Sequence, residues 1–193
     1  MDTNYSTERL NIRDFTIEDA PFLQECLGDK DVARQTMTKP HPFPESLAVE
    51  SIEKYHKFKK DGAANILALT LKDTNQFIGL VGMMFKPEHK KGDLGYLLSK
   101  PFWGKGYATE AAKKMLEVGF NEYGLERIAA SAFADNPASL KVLEKVGFRY
   151  EGTSRKDAIK WGEARDVAFY GILKEEYEEK VGRDEGSKEV KKE

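Results

Sequence analysis

A run of small and polar residues from Trp103 to Ala111 has the composition of an anion-binding loop. Gly104 and Gly106 let the backbone come close to a bulky anion, and a helix that starts near Gly106 leaves its first amide protons without helical partners. Lys105 adds a positive charge where two phosphates would lie. The stretch therefore predicts a backbone-amide cradle for a pyrophosphate, although glycines at this spacing also occur in simple tight turns.

Two other phosphate-binding motifs do not fit the same residues. A Walker A motif needs Gly-x-x-x-x-Gly-Lys-Ser/Thr, which is absent, and a dinucleotide fingerprint needs a third Gly or Ala where Thr109 stands. A dinucleotide loop also follows the first strand of a βαβ unit, whereas this loop follows several predicted strands. Both nucleotide-binding motifs are rejected.

The elements that must position this loop can be predicted from hydrophobic periodicity and turn residues. Alternating or continuous apolar runs predict strands near residues 9–13, 66–71, 77–85, 92–98 and 127–133, and a last hairpin that turns at Trp161-Gly162-Glu163. Helical spacing predicts helices that begin near Thr16, at Ser46 as a cap, near Gly106 and at Asn136-Pro137. The three prolines between Lys39 and Pro44 predict a loop.

Length and composition favour one globular domain. The chain has 193 residues, of which 40% are hydrophobic and 33% are charged, enough for one core but not for two domains. We expect this domain to span residues 1–180 and residues 181–193 to form a disordered tail, since the tail is too charged to pack. A formal net charge of −2 makes nucleic acid an unexpected partner.

The chain offers few residues for redox or metal chemistry. Cys26 is the only cysteine, so no intramolecular disulfide can form, and the three histidines lack metal-motif spacing. No apolar run approaches the roughly 20 residues that cross a bilayer, and the first residues do not resemble a secretion signal. We therefore expect a cytoplasmic protein without a metal and without a membrane partner.

Four motifs, in this order along residues 7–177, resemble the GNAT superfamily of N-acetyltransferases, in the branch of the ribosomal-protein N-terminal (alanine) acetyltransferases. The motifs are Glu8-Arg9-Leu10 with Arg13, Gly92-Asp93-Leu94-Gly95-Tyr96-Leu97-Leu98, the loop from Phe102 to Ala111, and Asn136-Pro137-Ala138-Ser139 with Glu144 to Phe148. Four motifs in order are more specific than one glycine loop. The resemblance implies an α+β fold of the three-layer α/β type, with a mixed, mostly antiparallel central sheet flanked by helices.

The resemblance also implies a co-substrate, acetyl-CoA, held between the strand that ends near Leu98 and the strand that ends near Phe133. The pyrophosphate would lie on backbone amides of the glycine loop, and the thioester carbonyl on an amide near Leu97 or Leu98. Trp103 departs from the Gln or Arg usual at its position. The expected cofactor-binding residues are Leu97, Leu98, Trp103, Gly104, Lys105, Gly106, Tyr107, Ala108, Thr109, Asn136 and Ser139.

For the chemistry, the resemblance implies direct attack of a primary amine on the thioester. Ser139 is the expected proton donor to the CoA sulfur, and Tyr96 is its rival. Asp93 is the candidate base, whereas Glu110 is explained by its place in the first turn of a helix. Each of these residues also has a purely structural explanation. Asp93 fits a solvated charge at a strand edge, and Tyr96 fits a core tyrosine. Asn136 fits a helix cap, with Ser139 satisfying the first turn of that helix.

The acceptor amine is predicted less directly than the donor. The branch resemblance favours the α-amine of a protein N-terminus, and at pH 7 about a tenth of such amines, with a pKa of about 8, are neutral. The first alternative is a small amine such as a polyamine, an aminoglycoside or an amino-acid-like compound, which an acidic mouth built from Asp29, Asp31, Glu45 or Glu50 would favour. The second is an acetyl-CoA-binding module without turnover.

Overall fold

Eight strands form one sheet in the computed structural model, which describes residues 3–189 and the side chains of residues 3–183. The strands are β1 (Asn4–Ser6), β2 (Leu10–Arg13), β3 (Ala64–Leu71), β4 (Phe77–Lys86), β5 (Lys91–Leu98), β6 (Arg127–Phe133), β7 (Arg149–Lys160) and β8 (Glu163–Leu173). The helices are α1 (Ala20–Gly28), α2 (Lys30–Arg34), α3 (Glu45–Lys60), α4 (Tyr107–Asn121), α5 (Pro137–Val146) and α6 (Lys174–Glu189).

The strand order is β1-β2-β3-β4-β5-β6-β8-β7, and every neighbouring pair is antiparallel except β5 and β6. Two crossovers, through α4 and α5, carry the chain over one face of the sheet. The expected mixed, mostly antiparallel sheet with flanking helices is confirmed. Within residues 3–189, no helix has the length and apolar character needed to span a membrane.

The one parallel pair of strands is paired over a short stretch. Residues 91–93 of β5 lie opposite residues 127–129 of β6, and the register stops there. In contrast, β5 stays paired with β4 to Leu98, and β6 stays paired with β8 to Phe133. The sheet therefore opens between Leu98 and Phe133 into two arms, which we call the β5 arm and the β6 arm.

Two apolar cores lie on opposite faces of the sheet. Successive strand residues face opposite sides, so Leu67 and Leu69 of β3 enter one core and Ala68 the other. The first core joins α4 and α5 to the sheet and includes Leu10, Ile12, Leu94, Leu98, Met115, Leu116, Phe120, Ile128 and Leu143. The second joins α1 and α3 to the sheet and includes Phe15, Leu23, Leu27, Phe43 and Ile52.

Two predictions about the first half of the chain need correction. Ser46 is not the cap of α3, because Pro44 in extended backbone precedes the helix and Glu45 opens its first turn. The sequence also misses β1 and α2, which are only three and five residues long. Elements of that length carry too few periodic positions to be recognised.

The chain is helical where the sequence predicts a disordered tail. Helix α6 continues through residues 181–189, and residues 190–193 lie outside the described residues. The start of α6 is docked, since the ring of Tyr177 stacks on Phe120 at 5.0 Å and Nζ of Lys180 donates to the carbonyl of Lys145 at 2.9 Å. A docked first turn supplies the nucleus from which a charged helix can propagate.

Gly79 tests how tightly β4 holds the β5 arm. A Cβ at this position would lie 2.1 Å from the carbonyl oxygen of Leu97, and the backbone φ is +155°. We expect Gly79→Ala to lower the free energy of unfolding by about 3 kcal/mol in urea denaturation. Gly95→Ala on the neighbouring strand is the matched control, because a Cβ there meets nothing within 4 Å. Equal losses in the two variants would contradict the expectation.

Candidate active site

The predicted phosphate loop lies between the end of β5 and the start of α4. Gly104 and Gly106 both adopt left-handed backbone, with φ of 73° and 84°. The first helical hydrogen bond of α4 runs from the amide of Glu110 to the carbonyl of Gly106 at 3.0 Å. The amides of residues 107–109 therefore precede the helical ladder and have no acceptor within it. The geometry is that of an anion cradle.

Trp103 fastens the beginning of this loop to the β5 arm. Its indole N–H donates to the carbonyl of Leu98 at 2.8 Å. This bond satisfies the last carbonyl of the strand and fixes the direction in which the chain leaves it. The side chain of Trp103 thus has a structural partner, and its predicted part in cofactor binding stays a prediction.

The aromatic and basic side chains of the loop pack against each other. The rings of Phe102 and Tyr107 meet edge to face at 6.3 Å, and Nζ of Lys105 lies 5.5 Å from the centre of the Phe102 ring. These contacts occupy side chains and leave the backbone of the loop to meet a ligand. A ligand role for Lys105, Tyr107, Ala108 and Thr109 stays a prediction.

Tyr96 and Ser139, the two predicted proton donors, are brought together across the opening. The phenol oxygen of Tyr96, on the β5 arm, lies 3.0 Å from Oγ of Ser139 and donates to the Ser139 carbonyl at 3.1 Å. Ser139 belongs to the first turn of α5, which follows the β6 arm. Burial raises the pKa of Tyr96 to about 12, despite the lowering effect of the Ser139 hydrogen bond.

Asn136 caps the helix that carries Ser139. Its side-chain oxygen accepts the amide proton of Ser139 at 3.2 Å, and Pro137 occupies the first helical position, where its missing N–H costs nothing. The structural alternative that the sequence left open is therefore realised. A further hydrogen bond from Asn136 to the pantetheine arm stays a prediction.

Asp93 lies apart from this hydroxyl pair. Tyr96 packs against the first core and Leu97 against the second, so Asp93, an even number of residues from Leu97, faces the side opposite to Tyr96. Its carboxylate oxygens lie 3.6 Å from Nζ of Lys86 and 3.5 Å from Nζ of Lys91. The structure thus separates the predicted base from the predicted acids.

The predicted thioester contacts lie on the open edge of the β5 arm. Leu97 and Leu98 come after the register with β6 has ended, so their β6-facing backbone groups lie beyond the last ladder pair. Leu98 is 7% exposed and packs in the first core, which fixes this edge. An amide here can face a ligand between the arms, as the prediction requires.

Helix α2, which the sequence missed, spans the open ends of both arms. Asp31 pairs with Lys100, just past the β5 arm, at 2.6 Å, and Arg165 of β8 donates to the carbonyl of Arg34 at 2.7 Å. Arg165 also pairs with Asp135, which follows the β6 arm. Asp29 caps α2 through the amides of residues 31 and 32, a capping signal visible in the sequence.

The tip of the β7–β8 hairpin packs on the proline loop. Nζ of Lys160 donates to the carbonyl of Lys39 at 2.7 Å, and the ring of Trp161 lies 5.7 Å from that of His41. Burial lowers the pKa of Lys160, and the charge of Arg165 adds to the effect. These contacts join segments more than a hundred residues apart, so the local sequence carried no signal for them.

A surface cleft of about 500 Å³ lies between α2 and this hairpin. Two arginines and three carboxylates line it, together with two alanines: Arg34, Arg165, Asp135, Glu163, Asp166, Ala134 and Ala164. In the part of the chain that the structure describes, no group of three or more His, Cys, Asp or Glu could hold a metal ion.

Comparison with known proteins decides the family. Residues 9–149 match the acetyltransferase (GNAT) domain. The chain belongs to the GNAT acetyltransferase family. The uncharacterized N-acetyltransferase p20 of Bacillus licheniformis is 34% identical over 179 residues, which cover 92% of this GNAT chain and 99% of p20.

Two shorter matches carry names that mention an acceptor. YdaF of Bacillus subtilis, whose name assigns it provisionally as a ribosomal N-acetyltransferase, is 37% identical over 90 residues, 47% of this GNAT chain and 49% of YdaF. The L-amino acid N-acetyltransferase AaaT of Escherichia coli is 32% identical over 82 residues, 42% of this chain and 51% of AaaT.

Solved structures of GNAT proteins share the fold. A GNAT acetyltransferase of Bacillus anthracis has a TM-score of 0.80 and 29% identity, with 90% of this chain and 99% of that one covered. The ribosomal-protein-S5-alanine acetyltransferase of Vibrio fischeri has a TM-score of 0.81, 22% identity and coverage of 91% and 99%. The spermidine N-acetyltransferase of Vibrio cholerae, solved with CoA and spermine, has a TM-score of 0.78, 22% identity and coverage of 89% and 99%.

This GNAT protein is an acetyl-CoA-dependent N-acetyltransferase, as its family and its named relatives show. The loop fits the expected co-substrate, which supplies an activated acetyl group. A Cβ at Gly104 would meet nothing within 4 Å, so open space borders the loop backbone there. Gly104, Gly106 and the amides of residues 107–109 would hold the pyrophosphate.

Gly106 provides a test of the cradle. A Cβ there would strain left-handed backbone and lie 3.3 Å from Nη2 of Arg9, so we expect Gly106→Ala to weaken CoA binding about tenfold in calorimetry. Gly124→Ala is the control, since Gly124 also has left-handed backbone, with φ of 61°, but follows the far end of α4. The cradle is not the CoA site if both variants bind CoA like the wild type.

Proposed function

We propose that this enzyme transfers the acetyl group of acetyl-CoA to the α-amine of a protein N-terminus, by direct attack while both substrates are bound. The observation that carries the proposal is the Tyr96–Ser139 hydroxyl pair across the opening between the arms. A hydroxyl pair can give up a proton but is a poor base. Such a site suits an amine that needs little help to lose its own proton.

The proton for the departing sulfur comes from this pair. A thiol such as that of CoA resembles a cysteine, with a pKa of about 8.5, so protonating its thiolate needs only a weak acid. With its pKa raised by burial to about 12, Tyr96 keeps its proton at neutral pH. A phenol is a stronger acid than an alkyl hydroxyl, so Tyr96 donates and Ser139 orients it and shares the proton.

The carboxylates around the opening do not favour a strongly basic acceptor. Asp93 faces away from Tyr96 and lies near two lysines. A lysine-like amine of pKa about 10.4 is less than a hundredth neutral at pH 7, whereas an α-amine of pKa about 8 is about a tenth neutral. An ordered water is then a sufficient proton acceptor for the α-amine.

The acidic mouth expected of a polyamine enzyme is not assembled. Asp29 is used as the cap of α2, and Asp31 is paired with Lys100. Glu45 and Glu50 lie on exposed positions of α3. In the cleft beside α2, three carboxylates face two arginines, so the charges are nearly balanced.

The names of two relatives support an α-amine as the acceptor, either of a protein N-terminus or of a free amino acid. YdaF, named for ribosomal acetylation, matches about half of the chain at 37% identity. AaaT, named for L-amino acids, matches a similar share at 32% identity. A free amino acid also presents an α-amine of low pKa, so it is the second candidate. The spermidine enzyme shares only the fold.

The acceptor can be identified by measuring CoA release with a panel of amines. We expect peptides with a free N-terminus to give at least about a tenfold higher kcat/KM than spermidine, because only the α-amine has a pKa of about 8. The same peptides with a blocked N-terminus and an internal lysine are the control. Faster turnover of spermidine would overturn the proposal, and CoA binding without any turnover would indicate a binding module.

Replacing the phenol tests the proton donor. We expect Tyr96→Phe to lower kcat about a hundredfold with little change in the KM for acetyl-CoA, and Ser139→Ala to lower it less. Tyr123→Phe, just past the C-terminal end of α4, where the hydroxyl accepts from Nδ2 of Asn65 at 3.1 Å, is the control. Wild-type kcat should rise with pH as the amine loses its proton. Since the pKa of Tyr96 is about 12, the donor stays protonated up to about pH 10, and we expect no decrease of kcat over that range. An unchanged kcat in Tyr96→Phe would exclude this residue as the donor.

A further inference from the structure

The glycine loop is braced from outside by residues of the segment between β1 and β2. Nη1 of Arg9 donates to the carbonyl of Lys105 at 3.0 Å, and its guanidinium lies 4.5 Å from the centre of the Tyr107 ring. The same guanidinium meets Glu110 twice, through Nε and Nη2, each at 2.7 Å. Arg9 therefore contacts both the loop and the first turn of α4.

Glu110 is the other half of this brace. Its Oε1 accepts the backbone amide of Arg9 at 2.8 Å and the hydroxyl of Thr7 at 2.5 Å. Its carboxylate thus bonds to the β1–β2 segment rather than only to the amides of its own helix, as its first-turn position would suggest. Nε and Nη2 of Arg9 both meet the other oxygen, Oε2, so each carboxylate oxygen of Glu110 accepts two bonds, and bonds to an ionised carboxylate are stronger than neutral ones.

The negative charge of Glu110 would repel a pyrophosphate bound at the glycine loop. Burial raises the pKa of its carboxyl, but hydrogen bonds from Thr7 and Arg9 and the charge of Arg9 outweigh burial, so the pKa lies below its usual value. The group is ionised at neutral pH, in the helical turn whose amides face the expected phosphates. An anion there repels a second anion unless a cation balances it.

We propose that Arg9 is a positioning residue for the pyrophosphate site. It fixes the Lys105 carbonyl away from the cradle, so that the neighbouring amides point into it, and it balances the carboxylate of Glu110. The inference rests on the proposed role of residues 104–109 in holding the pyrophosphate. It assigns to a residue outside the glycine motif a part in the binding of the donor, with no contact to the reacting atoms.

The two partners of the brace differ in what their loss would do. Arg9→Met frees the loop and leaves the Glu110 charge unbalanced, so we expect the Kd for CoA to rise about tenfold. Glu110→Gln removes the repulsive charge as well as part of the brace, so we expect a change of about threefold or less. In the double variant the unbalanced charge is gone, and CoA should bind more tightly than to Arg9→Met.

The experiment compares donors that do and do not carry the pyrophosphate. Acetyl-CoA and S-acetylpantetheine, which lacks the nucleotide and its phosphates, are used with the wild type, the three variants and Arg9→Lys. We expect Arg9→Met to raise the KM for acetyl-CoA about tenfold, with kcat and the kcat/KM for S-acetylpantetheine unchanged. Arg9→Lys keeps the positive charge but lacks the several donors of the guanidinium, so its KM for acetyl-CoA should lie between those of the wild type and Arg9→Met.

The control for a lost surface charge is Lys113→Met, at an exposed position of the same helix. Urea denaturation of each variant shows whether the fold survives, and calorimetry with CoA gives the Kd without any acceptor. An equal loss with S-acetylpantetheine, or a double variant no better than Arg9→Met, would overturn the inference. If no amine is acetylated, the Kd series still decides it, so its failure is distinct from failure of the proposed function.

Discussion

The short parallel register between β5 and β6 is the constraint on which the rest of the structure depends. Three residue pairs join these strands, after which β5 follows β4 and β6 follows β8. A strand edge left unpaired inside a protein exposes backbone donors and acceptors that require some partner. In the site proposed here, that partner would be acetyl-CoA lying between the two arms.

The donor and acceptor ends of the proposed site differ in the groups that form them, backbone amides at one end and side chains at the other. The proposed donor end consists of backbone amides in a loop shaped by two left-handed glycines, a helix start and the bonds from Trp103 and Arg9. We expect the acceptor to meet side chains on α2, the proline loop and the hairpin tip, which come together only after the chain has folded. A change of acceptor therefore needs no change in the cradle.

Much of the framework could be predicted because its signals are local. The bounds of β6 and the cap of α5 follow from an apolar run and from Asn136-Pro137. The docking of α6 could not be predicted because it depends on a ring of α4, far away in sequence, and the disordered tail at residues 181–193 stays a prediction. Long-range pairs such as Arg9 with Glu110 leave no local trace. The separation of Asp93 from Tyr96 was available in the period of two along β5, and it weighs against pairing them as base and acid.

Helix α2 is attached to the two arms by bonds of different character. At one end, Lys100 and Asp31 are both more than half exposed, so dissolved ions compete for their charges. At the other end, the Arg165 side chain is 9% exposed and donates to a backbone carbonyl, a bond that ionic strength scarcely affects. We expect rising salt to weaken the contact of α2 with Lys100 before its contact with Arg165, while Val32 of α2 is held in the second core.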